Sequence, residues 1–169
     1  MSRVPLRFAL PVYNEGEAAR RAVERLVPAA ESLGEPYRIW VYDDGSTDGL
    51  GGLADLAPRL PALTIHHRGV NGGVGRFFRW CLETPIADAE PDDVLTILEG
   101  DATSDLDALP ALVAAIRAGA DVAVASRYVS GGRISGFPPR KQLTSWLTNS
   151  VVRALYAARV RDWTMFYRA

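Results

Sequence analysis

Two apolar runs in this sequence end in carboxylates. Ile39-Trp40-Val41-Tyr42 leads into Asp43-Asp44-Gly45-Ser46-Thr47-Asp48, and Val94-Leu95-Thr96-Ile97-Leu98 leads into Glu99-Gly100-Asp101. Acids crowded at a strand end repel one another, so a metal ion, arginines or helix N-termini are expected to offset them. One of Asp43 and Asp44 could hydrogen-bond a base or ribose while the other approaches a metal. The same residues also make an ordinary turn with a helix cap. Alternate residues of an extended segment point to one side, so Glu99 and Asp101 could face a single cation. Hard oxygen ligands suit Mg²⁺ or Mn²⁺, with the Thr103 hydroxyl as a further ligand. An acidic, exposed loop is the alternative.

Asn71-Gly72-Gly73-Val74-Gly75 could bring backbone N–H groups, around Gly73, close to a phosphate. The run lacks the Gly-Lys-Ser/Thr of a Walker loop and the spacing of the dinucleotide fingerprint. His66 and His67 precede it; alternation turns one inward and one outward, which favours packing and exposure over catalysis. The charge is divided along the chain. Residues 1–125 carry 11 basic and 19 acidic side chains, whereas residues 126–169 carry eight basic and one acidic, Asp162. Any two of Arg127, Arg133, Arg140 and Lys141 could clamp a diphosphate or the phosphate of an acceptor. A solvated basic face and a surface for anionic lipid are the other readings.

These residues need elements to place them. Strands are expected at Leu6–Tyr13, with Pro11 near the end, at Tyr37–Tyr42, Leu63–His67, Val94–Leu98 and Asp121–Ser126. A helix follows Asn14 and runs to about Leu33, where Gly34 stops it. Ser46, Thr47 or Asp48 caps a short second helix. Further helices are expected at Phe77–Leu82, from Ser104 or Asp105 through Arg117, and from about Gln142 to Ala158. Strand and helix alternate over the first 126 residues, which argues an α/β fold: a Rossmann-like, mostly parallel sheet with helices on both faces. The last helix carries Leu143, Trp146, Leu147, Val151 and Leu155 as an apolar stripe. Core packing is its default reading and an interfacial helix on anionic lipid the alternative.

The 169 residues fit one domain, 1–169, able to bury a full core. The single cysteine, Cys81, excludes an internal disulfide and a zinc cluster, and is read as a buried small hydrophobe. With no run of 18 apolar residues, no transmembrane helix is encoded. A cytoplasmic protein, peripheral at the membrane face, is expected, and no nucleic-acid partner.

Together these segments resemble the family 2 glycosyltransferases, in the branch of dolichyl-phosphate and polyprenyl-phosphate sugar transferases. The likeness rests on Leu10-Pro11-Val12-Tyr13-Asn14-Glu15, on Val41 through Gly49, on Asn71 through Gly75, and on Ala125-Ser126-Arg127-Tyr128-Val129 with Gly131-Gly132 and Arg140. It implies a GT-A type fold, a nucleotide-diphosphate sugar donor (GDP- or UDP-linked), a divalent metal and inversion at the anomeric carbon. A polyprenyl phosphate is the implied acceptor. Carried over by position, Pro11, Tyr13, Glu15 and Asp44 contact the nucleoside, with Asp43 beside them. Asp101 matches the second acid of the family's Asp-x-Asp metal motif, and Arg127 and Arg140 hold phosphates. Asp162 is catalytic or a salt-bridge partner of Arg159 or Arg161.

Three positions depart from the pattern. Glu99 replaces the usual first Asp, and Arg76 stands where small residues are common. Asp162-Trp163-Thr164-Met165-Phe166-Tyr167-Arg168 has Met165-Phe166 in place of Ser-Gly. Family members usually continue beyond the position of Ala169, so a shortened C-terminus is one expectation. A sugar nucleotidyltransferase would carry a Gly-rich loop with a basic residue after the first strand, where Asn14-Glu15-Gly16-Glu17 is acidic. An inactive nucleotide-sugar-binding relative is the second rival.

Overall fold

The computed structural model describes residues 5–87, 89–129, 139–156, 162 and 166–169. Arg133, Gly131, Gly132, Arg159, Arg161, Trp163, Thr164 and Met165 lie outside these described residues. In order, the chain forms β1 (Leu6–Val12), α1 (Gly16–Glu31), β2 (Tyr37–Asp43), two 3₁₀ segments (Gly49–Asp55 and Ala57–Arg59) and β3 (Leu63–His67). α2 (Val74–Ile86), β4 (Val94–Ile97), a 3₁₀ turn (Leu106–Ala108), α3 (Leu109–Arg117) and α4 (Pro139–Tyr156) follow.

The four strands form one parallel sheet in the order β3-β2-β1-β4. β1 and β2 are apolar almost throughout because both sheet faces are covered. On one face Leu6, Phe8, Leu10 and Val12 meet Ala19, Val23 and Leu26 of α1 and Leu109, Leu112 and Val113 of α3. On the other, Ala9, Trp40, Tyr42 and Ile97 meet Phe77 and Cys81 of α2. Cys81 is buried as expected, and burial pushes its thiol up to about 12.

The expected fifth strand, Asp121–Ser126, does not join the sheet as a parallel strand. The edge of β4 is taken by the last residues of the chain, antiparallel: Ile97 N–H donates to the Arg168 carbonyl at 2.8 Å and Arg168 N–H to the Ile97 carbonyl at 3.1 Å. Residues 123–125 then pair with 167–169 on the far side, through Ala123 to Ala169 at 2.8 Å and Ala125 to Tyr167 at 3.0 Å. The apolar alternation is real, but its partner is the C-terminal segment.

The short second helix is also irregular. Asp48 caps it, accepting from Leu50 N–H at 3.1 Å, but Leu50, Gly51 and Gly52 all take positive φ. This left-handed run lies against the start of α1: a Cβ on Gly16 would stand 2.3 Å from the Leu50 carbonyl carbon. No helix residue of its own caps α1; instead Asp48 Oδ2 accepts from Gly16 N–H at 2.8 Å across 32 residues. That bond holds the Asp48 carboxyl below its ordinary value. Its contribution is therefore present above the ordinary carboxylate pKa and lost as pH falls through the lowered one. Gly16→Ala must push the two backbones apart and break this cap. A loss of about 2–3 kcal/mol is expected in urea unfolding, at the upper end of overpacking costs.

α4 reverses the default expectation for its apolar stripe. Leu143, Trp146, Leu147, Val151 and Leu155 are exposed, Leu155 by 73%, while Asn149 is buried and Ser145 half-buried. The helix turns polar residues inward and its apolar face outward.

Candidate active site

Parallel strands deliver their C-terminal ends to one edge of the sheet. From β1 the chain passes to β2 on one side, and β4 lies on the other, so the order of winding reverses between β1 and β4. Ligands of open α/β sheets bind at such a reversal. The loops flanking it are 13–15 after β1 and 98–103 after β4, and they carry Tyr13, Glu15, Glu99, Asp101 and Thr103. Close approach is built in: a Cβ on Gly100 would lie 2.4 Å from the Pro11 carbonyl oxygen. Pro11, one residue before the end of β1, does not need the N–H that proline lacks, because β4 pairs with β1 only as far as Ala9. Asn14 and Ala102, one in each loop, are non-glycine residues at positive φ. Such strain persists where the surroundings enforce it. Asn14 Oδ1 accepts from Thr47 N–H at 2.8 Å and Asn14 N–H donates to Ser46 Oγ at 2.8 Å. Arg25 of α1 donates to the carbonyls of Ala102 and Ser104.

The acids of the two strand ends have separate tasks. Asp43 is fully buried; Oδ1 accepts from Ser46 N–H at 3.0 Å and Oδ2 meets His67 Nδ1 in a very short contact. Asp44, 2% exposed, accepts from Gly72 N–H at 3.1 Å on both oxygens and from Arg68 Nη1 at 3.1 Å. Arg68 in turn lies over the Trp80 ring, 4.7 Å from its centroid. Asp44 thus fastens the glycine-rich loop to β2. Within that loop Gly73 has a φ of 78°, which favours glycine, and Asn71 Oδ1 accepts its N–H at 2.9 Å. α2 starts at the next residue, which places a helix N-terminus at the same edge. Tyr13 and Glu15 are exposed beside it.

Asp101 lies close enough to Glu15 for its charge to act on it. The Glu15 carboxyl is raised first by desolvation, then by the charges of Asp101 and Asp48. Asp101 is exposed, and its Oδ1 accepts from the N–H of Thr103 at 2.9 Å and from its hydroxyl. Glu99 faces elsewhere. Oε2 accepts from Ser104 Oγ and Oε1 accepts from Phe166 N–H at 3.2 Å. The segment after β4 is a turn and not an extended strand, so the alternation that would align Glu99 with Asp101 does not operate. Among the described residues, no group of three His, Cys, Asp or Glu side chains converges to hold a metal. The hard oxygens of Asp101 and Thr103 fit a divalent cation that completes its shell with water and phosphate. Glu99 is turned away from Asp101, toward Ser104 and the Phe166 N–H.

The basic segment is tied to the same edge. Asp162, fully buried, accepts from Arg127 Nε at 2.9 Å and Nη2 at 3.1 Å, a two-pronged pair. The Asp162 hydrogen bond raises the Arg127 guanidinium's pKa. Asn149 and Ser145 of α4 join this network, at 3.4 Å to Asp162 and to Arg127 respectively, and Tyr128 OH donates to Ser145 at 2.9 Å. Arg140, in the first turn of α4, is exposed.

Sequence reasoning missed four of these links: Asp43 with His67, Asp44 with Arg68, Asp162 with Arg127, and Asp48 with Gly16. One signal was available. Asp43 and His67 both end strands, and strands that are neighbours in register bring their ends together.

A parallel α/β sheet with a reversal at β1/β4, acids at its ends and an arginine segment folded back onto it is the arrangement of a GT-A type glycosyltransferase domain. The chain belongs to glycosyl transferase family 2, whose sequence profile matches residues 8–169. It is similar to the polyprenol monophosphomannose synthase of Mycolicibacterium smegmatis, 34% identical over 166 residues, 95% of this chain and 59% of that protein. It is 33% identical to the undecaprenyl-phosphate mannosyltransferase of Micrococcus luteus over 168 residues, 95% of this chain and 63% of that protein. The dolichol-phosphate mannosyltransferase of Pyrococcus furiosus is 30% identical over 140 residues, 80% of this chain and 37% of that protein. The chain spans about three fifths of the length of the first two.

Proposed function

We propose that this chain carries the catalytic domain of an enzyme that moves a sugar from a nucleotide-diphosphate donor to a polyprenyl phosphate, with inversion. One observation carries the reading: a strand-end site with Asp101 and a glycine-rich helix start on one side, and the Arg127–Asp162 ion pair on the other. The names of the three relatives support the acceptor class. In the reaction, a phosphate oxygen of the lipid forms a bond to the anomeric carbon as the bond to the donor's β-phosphate oxygen breaks. The nucleoside diphosphate leaves with the electron pair. The nucleophile is already anionic, so little general-base help is needed, and catalysis is positioning plus stabilisation of the leaving group.

Pro11, Tyr13 and Glu15 line the edge where the nucleoside would lie, with Asp44 setting the loop around Gly73. Asp101, with Thr103, would hold Mg²⁺ or Mn²⁺, which supplies charge neutralisation to the leaving diphosphate when bound. Arg127 and Arg140 would meet the acceptor phosphate. Asp162, engaged two-pronged by Arg127, acts by orienting that arginine.

α4 supports a peripheral position at a membrane. No helix among the described residues is long and apolar enough to cross one. The outward face with Trp146 and Leu147, beside exposed Arg140 and Arg153, suits the interface of anionic lipid. Trp146→Ala is expected to weaken binding to phosphatidylglycerol vesicles about tenfold, the scale of losing one large buried side chain. High salt should weaken both proteins further. Equal sedimentation of the two with vesicles would remove this face from the membrane contact.

The functional reading is tested by incubating the protein with GDP- and UDP-sugars, a polyprenyl phosphate and Mn²⁺, and following label into the lipid phase. The substituted positions 99 and 166 favour the rival, an inactive binding relative. Binding of nucleoside diphosphate with no turnover of any donor would establish it.

A further inference from the structure

We infer that Glu99 is a positioning residue that latches the C-terminal segment to the end of β4. Two of the residues that depart from the family pattern, Glu99 in its metal motif and Phe166 in its last loop, are in contact. Glu99 Oε1 accepts from Phe166 N–H at 3.2 Å, and Oε2 is held by Ser104 Oγ. The Phe166 ring, where the family pattern has glycine, stacks on Phe78 of α2 with centroids 4.6 Å apart and planes 13° from parallel. The segment is thereby pinned from two sides, by a charge-assisted hydrogen bond and by a ring stack.

The reach of glutamate explains the exchange. Aspartate at position 99 would hold its carboxylate one methylene nearer the backbone, further from the Phe166 N–H. The latch also has somewhere to act. Phe166 is four residues beyond Asp162, whose carboxylate holds Arg127, and two before Arg168, which pairs with Ile97 at the edge of β4. Through Phe166 and Asp162 Glu99 bears on Arg127, whereas Asp101 stands exposed in the loop after β4. The two acids serve opposite sides of the site: Asp101 the donor side, Glu99 the arginine side.

This inference rests on the proposed transfer reaction only for its kinetic arm. The first arm titrates Mn²⁺ in the presence of GDP or UDP, with free Mn²⁺ read by electron paramagnetic resonance. Glu99→Gln should bind Mn²⁺ within about twofold of wild type, while Asp101→Asn loses about tenfold or more. A loss in Glu99→Gln equal to that of Asp101→Asn overturns the inference, because Glu99 is then a ligand. The second arm follows amide exchange at Phe166, which should quicken about tenfold or more in Glu99→Ala, a change that removes the acceptor. Unchanged exchange overturns the latch. The third arm is steady-state kinetics: Glu99→Ala should raise the acceptor KM about tenfold and leave the donor KM within about twofold. Glu99→Asp keeps the charge but loses the reach, and should match Glu99→Ala. Wild-type kinetics in Glu99→Asp would overturn the argument from reach, and equal change in both KM values would overturn the side assignment. Should Glu99→Gln or Glu99→Ala fail to fold, Ser104→Ala loosens the same carboxylate and is read in the same arms. Absence of lipid-linked product from the wild type would fail the functional reading alone, since the Mn²⁺ and exchange arms need no acceptor.

Discussion

Asp101→Ala is expected to lower kcat/KM for sugar transfer by about 10³-fold, several kcal/mol of transition-state stabilisation, and to leave the fold nearly untouched. The two effects separate because of where the side chain lies. Asp101 is exposed and accepts from the N–H and hydroxyl of Thr103, so its removal gives up a local turn worth about 1 kcal/mol. As a hard oxygen at the β1/β4 reversal, it stands where a cation and the leaving diphosphate would meet. A further consequence is readable at Glu15. With the Asp101 charge gone, one of the causes that raises the Glu15 carboxyl is removed, and its pKa should fall toward the ordinary value. Transfer at the wild-type rate with Mn²⁺ or Mg²⁺ would remove Asp101 from the metal role.

The second large effect is on stability. Asp162→Ala should cost about 3–5 kcal/mol, the range for breaking a buried ion pair from one side. Asp162 is fully buried, and the Arg127 side chain is 17% exposed, so the guanidinium left behind has little water to replace its partner. The whole domain holds only about 5–15 kcal/mol, so urea unfolding should show the variant close to its limit. Asp162→Asn retains oxygen and shape and should lose less. Its pH–rate profile should keep the wild-type acid limb, because the account assigns Asp162 to holding Arg127 and the proton-free phosphate to attack. Loss of that limb with stability intact would make Asp162 a general base instead.

Local pattern made much of this legible. β1, β2 and β4 were readable because each is a short, largely apolar run, and β3 because Leu63 and Ile65 alternate with polar residues; their parallel arrangement follows from the helical connections between them. The helix face of Leu109, Leu112 and Val113 was equally plain. Three features were not. Residues 121–126 have the composition of a strand, but no local signal says that the chain's own C-terminus takes the place at the β4 edge. α4 carries an apolar stripe that reads as core, because periodicity reports a stripe and not the side on which the protein lies. The pairs Arg127–Asp162, His67–Asp43 and Gly16–Asp48 span 35, 24 and 32 residues, and each is set by which strand ends or loops meet. Gly16 shows the limit well. In sequence it sits in an acidic run that opens a helix; in the fold it is the only residue small enough to admit the Leu50 backbone.

The acids at the strand ends divide in a way their spacing does not reveal. Asp43 and Asp44 are inward-facing fasteners of β3 and the glycine loop, and Glu99 holds the C-terminal segment. Asp101 remains on the open edge. That division is why substitution at these acids should give different phenotypes, with chemistry lost at 101 and geometry lost at 99 and 162.

The most direct test of the account is transfer of labelled sugar from a panel of GDP- and UDP-sugars to a polyprenyl phosphate in mixed micelles with Mn²⁺. The account predicts a lipid-extractable sugar phosphate product of inverted anomeric configuration, formed from one donor class and abolished by chelation. Nucleoside diphosphate binding with no lipid-linked product from any donor would contradict it.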